Sequence, residues 1–408
     1  MRIVCAPDSF KESMSALVAA EAMARGILRV VPDADCDLVP MADGGEGTVE
    51  ALTDALGGTL VSAACHDALG RGMTAQYSYV ESKRLAVIEV AAASGLTQIR
   101  PSERDPLRAT SRGTGELIRA ALDLGARRFI VGLGGSATND AGAGMISALG
   151  ARLQNSQGAV IAPGGAALAR LASVDLAGMD PRLGECEFEL ACDVDNPLLG
   201  PTGASAVFGP QKGASPETVA ILDEALANWA NVVEAATGRA VRHRPGAGAA
   251  GGLGAAFLAF LNCSMRPGVE IVADAVSLAQ RIEGADWVFT GEGGINFQTL
   301  HGKTPWGVLQ VARSHGVKVV MFGGLVAPEA AELLDHGVNE LVSIVPHGQP
   351  LAEALRRGPQ NLADAVEQVV RRLVGGQLRA AIGAPVVVQA VRAPVPGSCD
   401  TFATIHFS

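Results

Sequence analysis

Carboxylates recur in this chain just after short apolar runs, and glycines or lysines stand beside them. "APDSFKES" carries Asp8 and Lys11, "MADGGEG" carries Asp43 and Glu46, "CDVDNP" carries Asp193, Asp195 and Asn196, and "TGEGGIN" carries Glu292. One Asp after a strand is ordinarily a turn former or a helix cap. Four such places in one chain point to a shared acidic site at the carboxyl ends of sheet strands, where open α/β sheets bind ligands. No Ser-His-Asp order and no zinc-type His spacing competes with that reading. Acids, lysines and glycine loops suit Mg²⁺-dependent phosphoryl transfer. Mg²⁺ prefers one or two carboxylates plus phosphate oxygens, lysines neutralise the transferred group, and an aspartate accepts the proton of an attacking hydroxyl.

Several loops offer places for an anion. "VGLGGSATNDAGAG" reads as a strand, a glycine turn and small hydroxyls. Gly134, Gly135 and Ser136 there leave backbone N–H groups open to close approach. Gly132, Gly134 and Ala137 also satisfy a loose dinucleotide pattern, but the acid expected about 20 residues further on is missing from "ARLQNSQGAVIAP". "TSRGTGE" puts Arg112 and Thr114 at a helix start, and "FGPQKG" puts Lys212 in a turn. "VFTGEGGINFQTLHGKT" reads as a strand running into a glycine-rich turn that ends in Gly302-Lys303-Thr304. Phe297 stands where a Walker loop needs its first glycine, so this is no such loop. Lys303 is still expected to meet a phosphate, from a different loop geometry.

The elements that must position these residues follow a βαβα rhythm. Short runs rich in Val, Ile, Leu or Phe at 3–6, 36–40, 128–133, 188–192, 287–290, 317–322 and 340–345 read as strands buried on both faces. Amphipathic helical patterns at 15–28, behind a possible capping Ser15, and at 114–126 lie between them. Runs at 60–64, 74–79 and 86–90 follow one another with no helix between, as an antiparallel patch would. The expected fold is α/β. Residues 1–60 with 283–380 form a discontinuous Rossmann-like domain with a mostly parallel sheet, and residues 61–282 form an inserted second α/β domain. The active site is expected in the interdomain cleft, whose closure would exclude water. Residues 381–408 form an atypical C-terminal tail.

Composition narrows the function classes. A net charge of −10 with only 2 Tyr and 3 Trp argues against a nucleic-acid surface. The seven cysteines form no CxxC, and the N-terminus has no signal-peptide pattern, so a reducing cytoplasm is expected. The uncharged stretch 246–265 has the length of a membrane span, but its first half is only Gly and Ala. A tight glycine loop leading into a buried helix, and no membrane, is the expectation.

Taken in order, "APDSFKES", "MADGGEGT", "AAASGL", "SRGTGEL", "GLGGSATNDAGAG", "CDVDNPLLG", "FGPQKGA", "PGAGAAGGLGAA" and "TGEG" resemble the bacterial glycerate kinase family, of the glycerate 2-kinase type, over about residues 1–375. The resemblance implies transfer of a phosphoryl group from ATP to D-glycerate, giving 2-phosphoglycerate, with Mg²⁺ as cofactor. It leaves the oligomeric state open, a homodimer being one option. Asp193 is expected to be the general base or a magnesium ligand. Asp8, Asp43 and Glu292 are expected to share the metal or the substrate hydroxyls, and Lys11 and Lys212 to face phosphate or the glycerate carboxylate. Similar proteins read "TGEGRID-Q---GK", whereas this chain has Gly294 for the arginine and Asn296 for the aspartate. Two alternatives therefore stand beside a 2-kinase: a 3-phosphoglycerate-forming kinase, and a weakened or non-catalytic protein that binds glycerate or nucleotide. A nicotinamide dehydrogenase is a distant third.

Overall fold

The structure is a computed structural model that describes residues 1–375. The expected tail from residue 381 lies outside the described residues. The strands are β1 (Arg2–Cys5), β2 (Asp35–Leu38), β3 (Thr59–His66), β4 (Gly72–Val80), β5 (Leu85–Glu89), β6 (Arg128–Gly132), β7 (Arg152–Gln154), β8 (Ser173–Asp175), β9 (Glu187–Ala191), β10 (Cys263–Arg266), β11 (Trp287–Ile295), β12 (Lys318–Val326) and β13 (Glu340–Ser343). They divide between two compact units. One comprises Met1–Pro40 and the described residues from Leu278 onward, the other Met41–Ser277. The first boundary falls earlier than residue 60 because the helix Thr48–Leu56 belongs with the second unit, where Val49 N donates to the Glu89 carboxylate at 2.9 Å.

The first unit is a parallel sheet in the order β13-β12-β11-β1-β2. Counted within the unit this is 2-1-3-4-5, a doubly wound order whose reversal lies between β1 and β11. Ser15 caps the helix Ala16–Leu28 by accepting from Val18 N at 3.4 Å. Met23 and Ile27 of that helix share one core with Val366 and Val369 of the helix Gly358–Val374 and with Ile3, Phe289 and Phe322 of the sheet. β11 and β12 outrun the sequence expectation. Gly291–Gly294 is strand and not turn, because glycines let the two backbones close up: a Cβ on Gly291 would lie 2.1 Å from the Phe322 carbonyl oxygen, and one on Gly324 2.5 Å from that of Gly293.

The second unit carries a six-stranded sheet in the order β10-β9-β6-β5-β4-β3. β5, β6, β9 and β10 are parallel, and β3, β4 and β5 form the antiparallel patch. Phe129 and Phe188 stack at 4.6 Å across β6 and β9, and Phe257 tilts against Phe188 from the helix Ala249–Phe260. That helix is the uncharged segment. It opens with left-handed backbone at Ala250, Gly251 and Gly252, as a glycine loop feeding a buried helix should. Among the described residues no helix is long and apolar enough to cross a membrane.

Candidate active site

In the first unit, Asp8 follows β1 and Glu292 lies within β11, past its middle; these two strands flank the sheet's reversal point. This is where a doubly wound sheet opens a crevice for a ligand. Both side chains are buried. The helix Thr304–Ser314 starts beside them. The Thr304 hydroxyl donates to Asp8 Oδ2, and Lys303 Nζ donates to Glu292 Oε2 at 3.2 Å. Thr299 Oγ1 donates to Glu292 Oε1 at 2.8 Å and accepts from Asn296 N at 3.2 Å. Asn296 in turn accepts from Gln298 N at 2.8 Å, completing a capping box for the turn that follows. Lys11 is exposed, and a Cβ on Gly293 would lie 3.2 Å from its backbone nitrogen. The loop that departs from the family pattern is therefore ordered by its own capping residue, with Glu292 and Lys303 paired.

The second unit collects a different pair of acids. Asp43, in the loop after β2, and Asp193, after β9, are brought together by Gly268. Gly268 N donates to Asp193 Oδ1 at 3.0 Å, while a Cβ on Gly268 would lie 1.9 Å from the Asp43 carbonyl oxygen. Gly44, left-handed at φ 86°, is wedged against Ala191 and Gly268. Crowding by protein atoms, with the charge of Asp43 adding to it, pushes the Asp193 carboxyl up to about 6 against the opposing Gly268 hydrogen bond. Its outer face is open to solvent, which moderates the push. The four carboxylates expected at strand ends thus do not share one sheet: β1, β2 and β11 belong to the first unit's sheet and β9 to the second's. We expect Gly268→Ala to displace both acids at once and to lower kcat/KM by about 100-fold, the scale of a roughly 1 Å misplacement of reacting groups. The variant should stay folded by circular dichroism. Unchanged turnover would mean that the Asp43–Asp193 juxtaposition is incidental.

Lys212, which ends the short 3-10 turn Pro210–Lys212, is only 2% exposed and reaches the second unit's glycine loop. Its Nζ donates to Ser136 Oγ at 2.9 Å and to the Thr138 carbonyl at 2.7 Å. An ammonium has three N–H donors, so one remains beyond these two. Burial drives the amine down to about 7, with Asp140 opposing. Gly134 and Gly135 form an exposed rim next to Ser136, with Gly135 left-handed at φ 69°. A Cβ on Gly134 would come within 3.7 Å of Gly45, so the loops of Asp43 and Ser136 are neighbours.

Other expected residues have different surroundings. Thr114 is fully buried and shares a 2.9 Å hydrogen bond with Ser94 Oγ. Arg112 is held by Glu116 at 2.8 Å and lines a cavity of about 660 Å³ with His66 and Arg119. Sequence reading passed over Asp140, Glu89 and Gly268. Glu89 ends β5, a run read as a strand, and its carboxylate caps the helix Thr48–Leu56, which lacks a side-chain cap of its own. Among the described residues no group of three or more His, Cys, Asp or Glu side chains suits a metal. Asp43, beside Asp193, offers one carboxylate of the kind that an ion shared with phosphate oxygens and water takes. Glu292, the other expected metal ligand, belongs to the first unit and is engaged by Thr299 and Lys303.

Comparison with known proteins matches residues 3–374 to the model of the glycerate kinase family. A glycerate kinase of Bacillus subtilis is 49% identical over 371 residues, covering 91% of this chain and 96% of that protein. A glycerate 2-kinase of Escherichia coli K12 is 44% identical over 380 residues, covering 93% and 100%. A crystal structure of a candidate glycerate kinase 2 from Salmonella typhimurium LT2 superimposes with a TM-score of 0.86 at 48% identity, over 92% of this chain and 99% of that one.

Proposed function

Because the chain belongs to the glycerate kinase family, we propose that it transfers the γ-phosphoryl group of ATP to the 2-hydroxyl of D-glycerate, giving 2-phosphoglycerate and ADP. The observation that carries this reading is the family match across residues 3–374, nearly all of the described chain. Asp193 accepts the proton of the attacking hydroxyl. Its raised pKa keeps it basic enough for that task near neutral pH. Lys212, with an N–H donor beyond its two protein contacts, meets the charge on the transferred phosphoryl group. The exposed backbone of Gly134 and Gly135 beside Ser136 approaches the same anion. Asp8, Glu292, Lys11 and Lys303 bind hydroxyls, carboxylate or phosphates at the first unit's reversal point. Mg²⁺, held by Asp43 with phosphate oxygens and water, would offset phosphate charge. A cytoplasmic setting fits the described cysteines, all of them unpaired.

A coupled assay with ATP, Mg²⁺ and D-glycerate is expected to release ADP, and NMR of the product to place phosphate on the 2-oxygen. No ADP would overturn the kinase reading, and phosphate on the 3-oxygen would leave a kinase of the other regiochemistry. Calorimetric binding of glycerate or nucleotide without turnover would leave a binding protein.

The Gly294 and Asn296 departures give a further test. Alternation along β11 and its continuation places 292, 294 and 296 on one side. A Cβ on Gly294 meets no atom within 4 Å, so a side chain fits there. An aspartate at 296 can keep the cap that Asn296 makes. Gly294→Arg with Asn296→Asp is therefore expected to raise kcat/KM about tenfold, corresponding to ~1.4 kcal/mol of transition-state binding. The single changes should yield less than half each of that free energy, because either alone leaves a charge without its partner. A double variant no faster than its parent would make the departure neutral.

A further inference from the structure

Asp140 is a buried carboxylate that the mechanism above does not use. It has no exposed surface. Its Oδ2 accepts from Ser111 N at 2.8 Å, Ser111 Oγ at 2.9 Å and Gly144 N at 3.1 Å, and its Oδ1 accepts from Gly142 N at 3.1 Å. Ser111 Oγ itself accepts from Met145 N at 3.0 Å, which leaves its own proton for Asp140. Four donors converge on the carboxylate, and this suits its ionised form. Burial pushes the carboxyl up against those four hydrogen bonds.

The bonds have two structural consequences. Those from Gly142 and Gly144 hold a turn in which Ala141 and Gly142 are both left-handed, at φ 50° and 68°. Alanine does not adopt that conformation without support from its surroundings. Those from Ser111 fasten the same turn to the start of the helix Arg112–Asp123. Directly before the turn stand Ser136 and Thr138, the two acceptors of Lys212. The Thr138 carbonyl is confined from the other side, since a Cβ on Gly251 would lie 1.9 Å from its oxygen. The charge that acts on Lys212 is that of Asp140, from this loop, and it is negative. Arg104, from the segment against Gly213, donates its Nη1 to the Gln211 carbonyl at 3.0 Å.

We propose that Asp140 is a positioning residue for phosphoryl transfer: it fixes the loop that presents the acceptors of Lys212, and its buried charge keeps the Lys212 ammonium charged for an incoming phosphate. The proposal rests on the reading that Lys212 faces phosphate. Burial already brings Lys212 to about 7 with Asp140 present, so losing that charge moves it lower still. Asp140 therefore sets the pH above which the free enzyme loses its phosphate-binding cation.

Lysine ¹³Cε NMR tests this without requiring turnover. The chain has five lysines, at 11, 83, 212, 303 and 318, and Lys212→Met identifies the signal of interest. In the full chain Asp140→Asn is expected to move the Lys212 midpoint down by about one pH unit or more. Ser111→Ala, which removes two hydrogen bonds and no charge, is expected to leave it in place. A Lys212 midpoint that Asp140→Asn leaves unmoved overturns the proposal. If Asp140→Asn is insoluble, the double variant with Lys212→Met removes both charges and is expected to restore soluble protein. A double variant as insoluble as the single one overturns the charge coupling. In turnover, the Asp140→Asn loss in kcat/KM should be several-fold larger at pH 8 than at pH 6, whereas a purely structural defect costs the same at both. If the native chain phosphorylates no glycerate, the kinase reading fails, and the titration still decides the role of Asp140.

Discussion

Asp193→Asn is expected to lower kcat by about 10²–10⁴-fold, the range for loss of a general base, and at the same time to make the protein more resistant to heat above pH 6. The two effects share one cause. Protein atoms and the Asp43 charge disfavour an ionised Asp193, so the residue is costly to the fold and useful to the reaction. The sign follows from linkage. An unfolded aspartate loses its proton near pH 3.9 and the folded one near 6. Between those values the folded chain holds a proton that the unfolded chain has released, so native stability falls as pH rises, and it stays lowered above 6. Asparagine removes that loss. The gain in Tm should be absent below pH 4, grow through pH 6 and then level off. It should be modest, because the outer face of Asp193 is solvated. In the native enzyme kcat/KM should fall as pH drops through about 6, and the variant should lose that limb. Near-normal turnover, or a loss of stability at pH 7, would show Asp193 to be a structural residue.

Lys212→Met should reduce kcat/KM by on the order of 10²–10³-fold, the cost of removing one preorganised donor from a developing charge. The native amine, brought to about 7 by burial, is mostly neutral at pH 8. A phosphate beside it raises that value, so binding draws in a proton. Calorimetry of nucleotide or inorganic phosphate binding at pH 8, repeated in buffers of different ionisation enthalpy, should show proton uptake approaching one per site. Lys212→Met should show none. For the same reason the falling limb of kcat/KM should lie near pH 7, while that of kcat, which reports the bound enzyme, should lie higher. Equal proton uptake in the native and variant proteins would assign the titration to another group.

Much of this could be read along the chain, because the relevant signals are local. Apolar runs such as 128–133 and 188–192 can be satisfied only by burial on both faces, and so they form strands of a covered parallel sheet. Ser15 before a helical period marks a helix start because its hydroxyl can satisfy an orphan N–H. The stretch 246–265 lacks the transfer energy of a membrane span, and it folds as a glycine loop and buried helix. The succession of motifs from "APDSFKES" to "TGEG" resembles the family by itself, and the match over residues 3–374 agrees.

What the sequence did not contain was which of its acids meet. Asp43 follows a strand of one sheet and Asp193 a strand of the other, yet they come together because Gly268, 75 residues beyond Asp193, has no side chain to keep them apart. Spacing along the chain carries no information about such a contact. The glycines after Thr290 look like a turn in one dimension. They are strand because the neighbouring β12 also carries glycines, at 323 and 324, and the two backbones can close up. Asp140 reads as one polar residue among small ones, and Thr114 as a hydroxyl at an anion-friendly helix start. Only packing shows the first to be a buried anion with four donors and the second to be bonded to Ser94. Local sequence sets secondary structure through short-range sterics and hydrogen bonding. Burial and charge pairing depend on neighbours far away in the chain, so the pKa values and the identity of the working acids were decided by the tertiary structure.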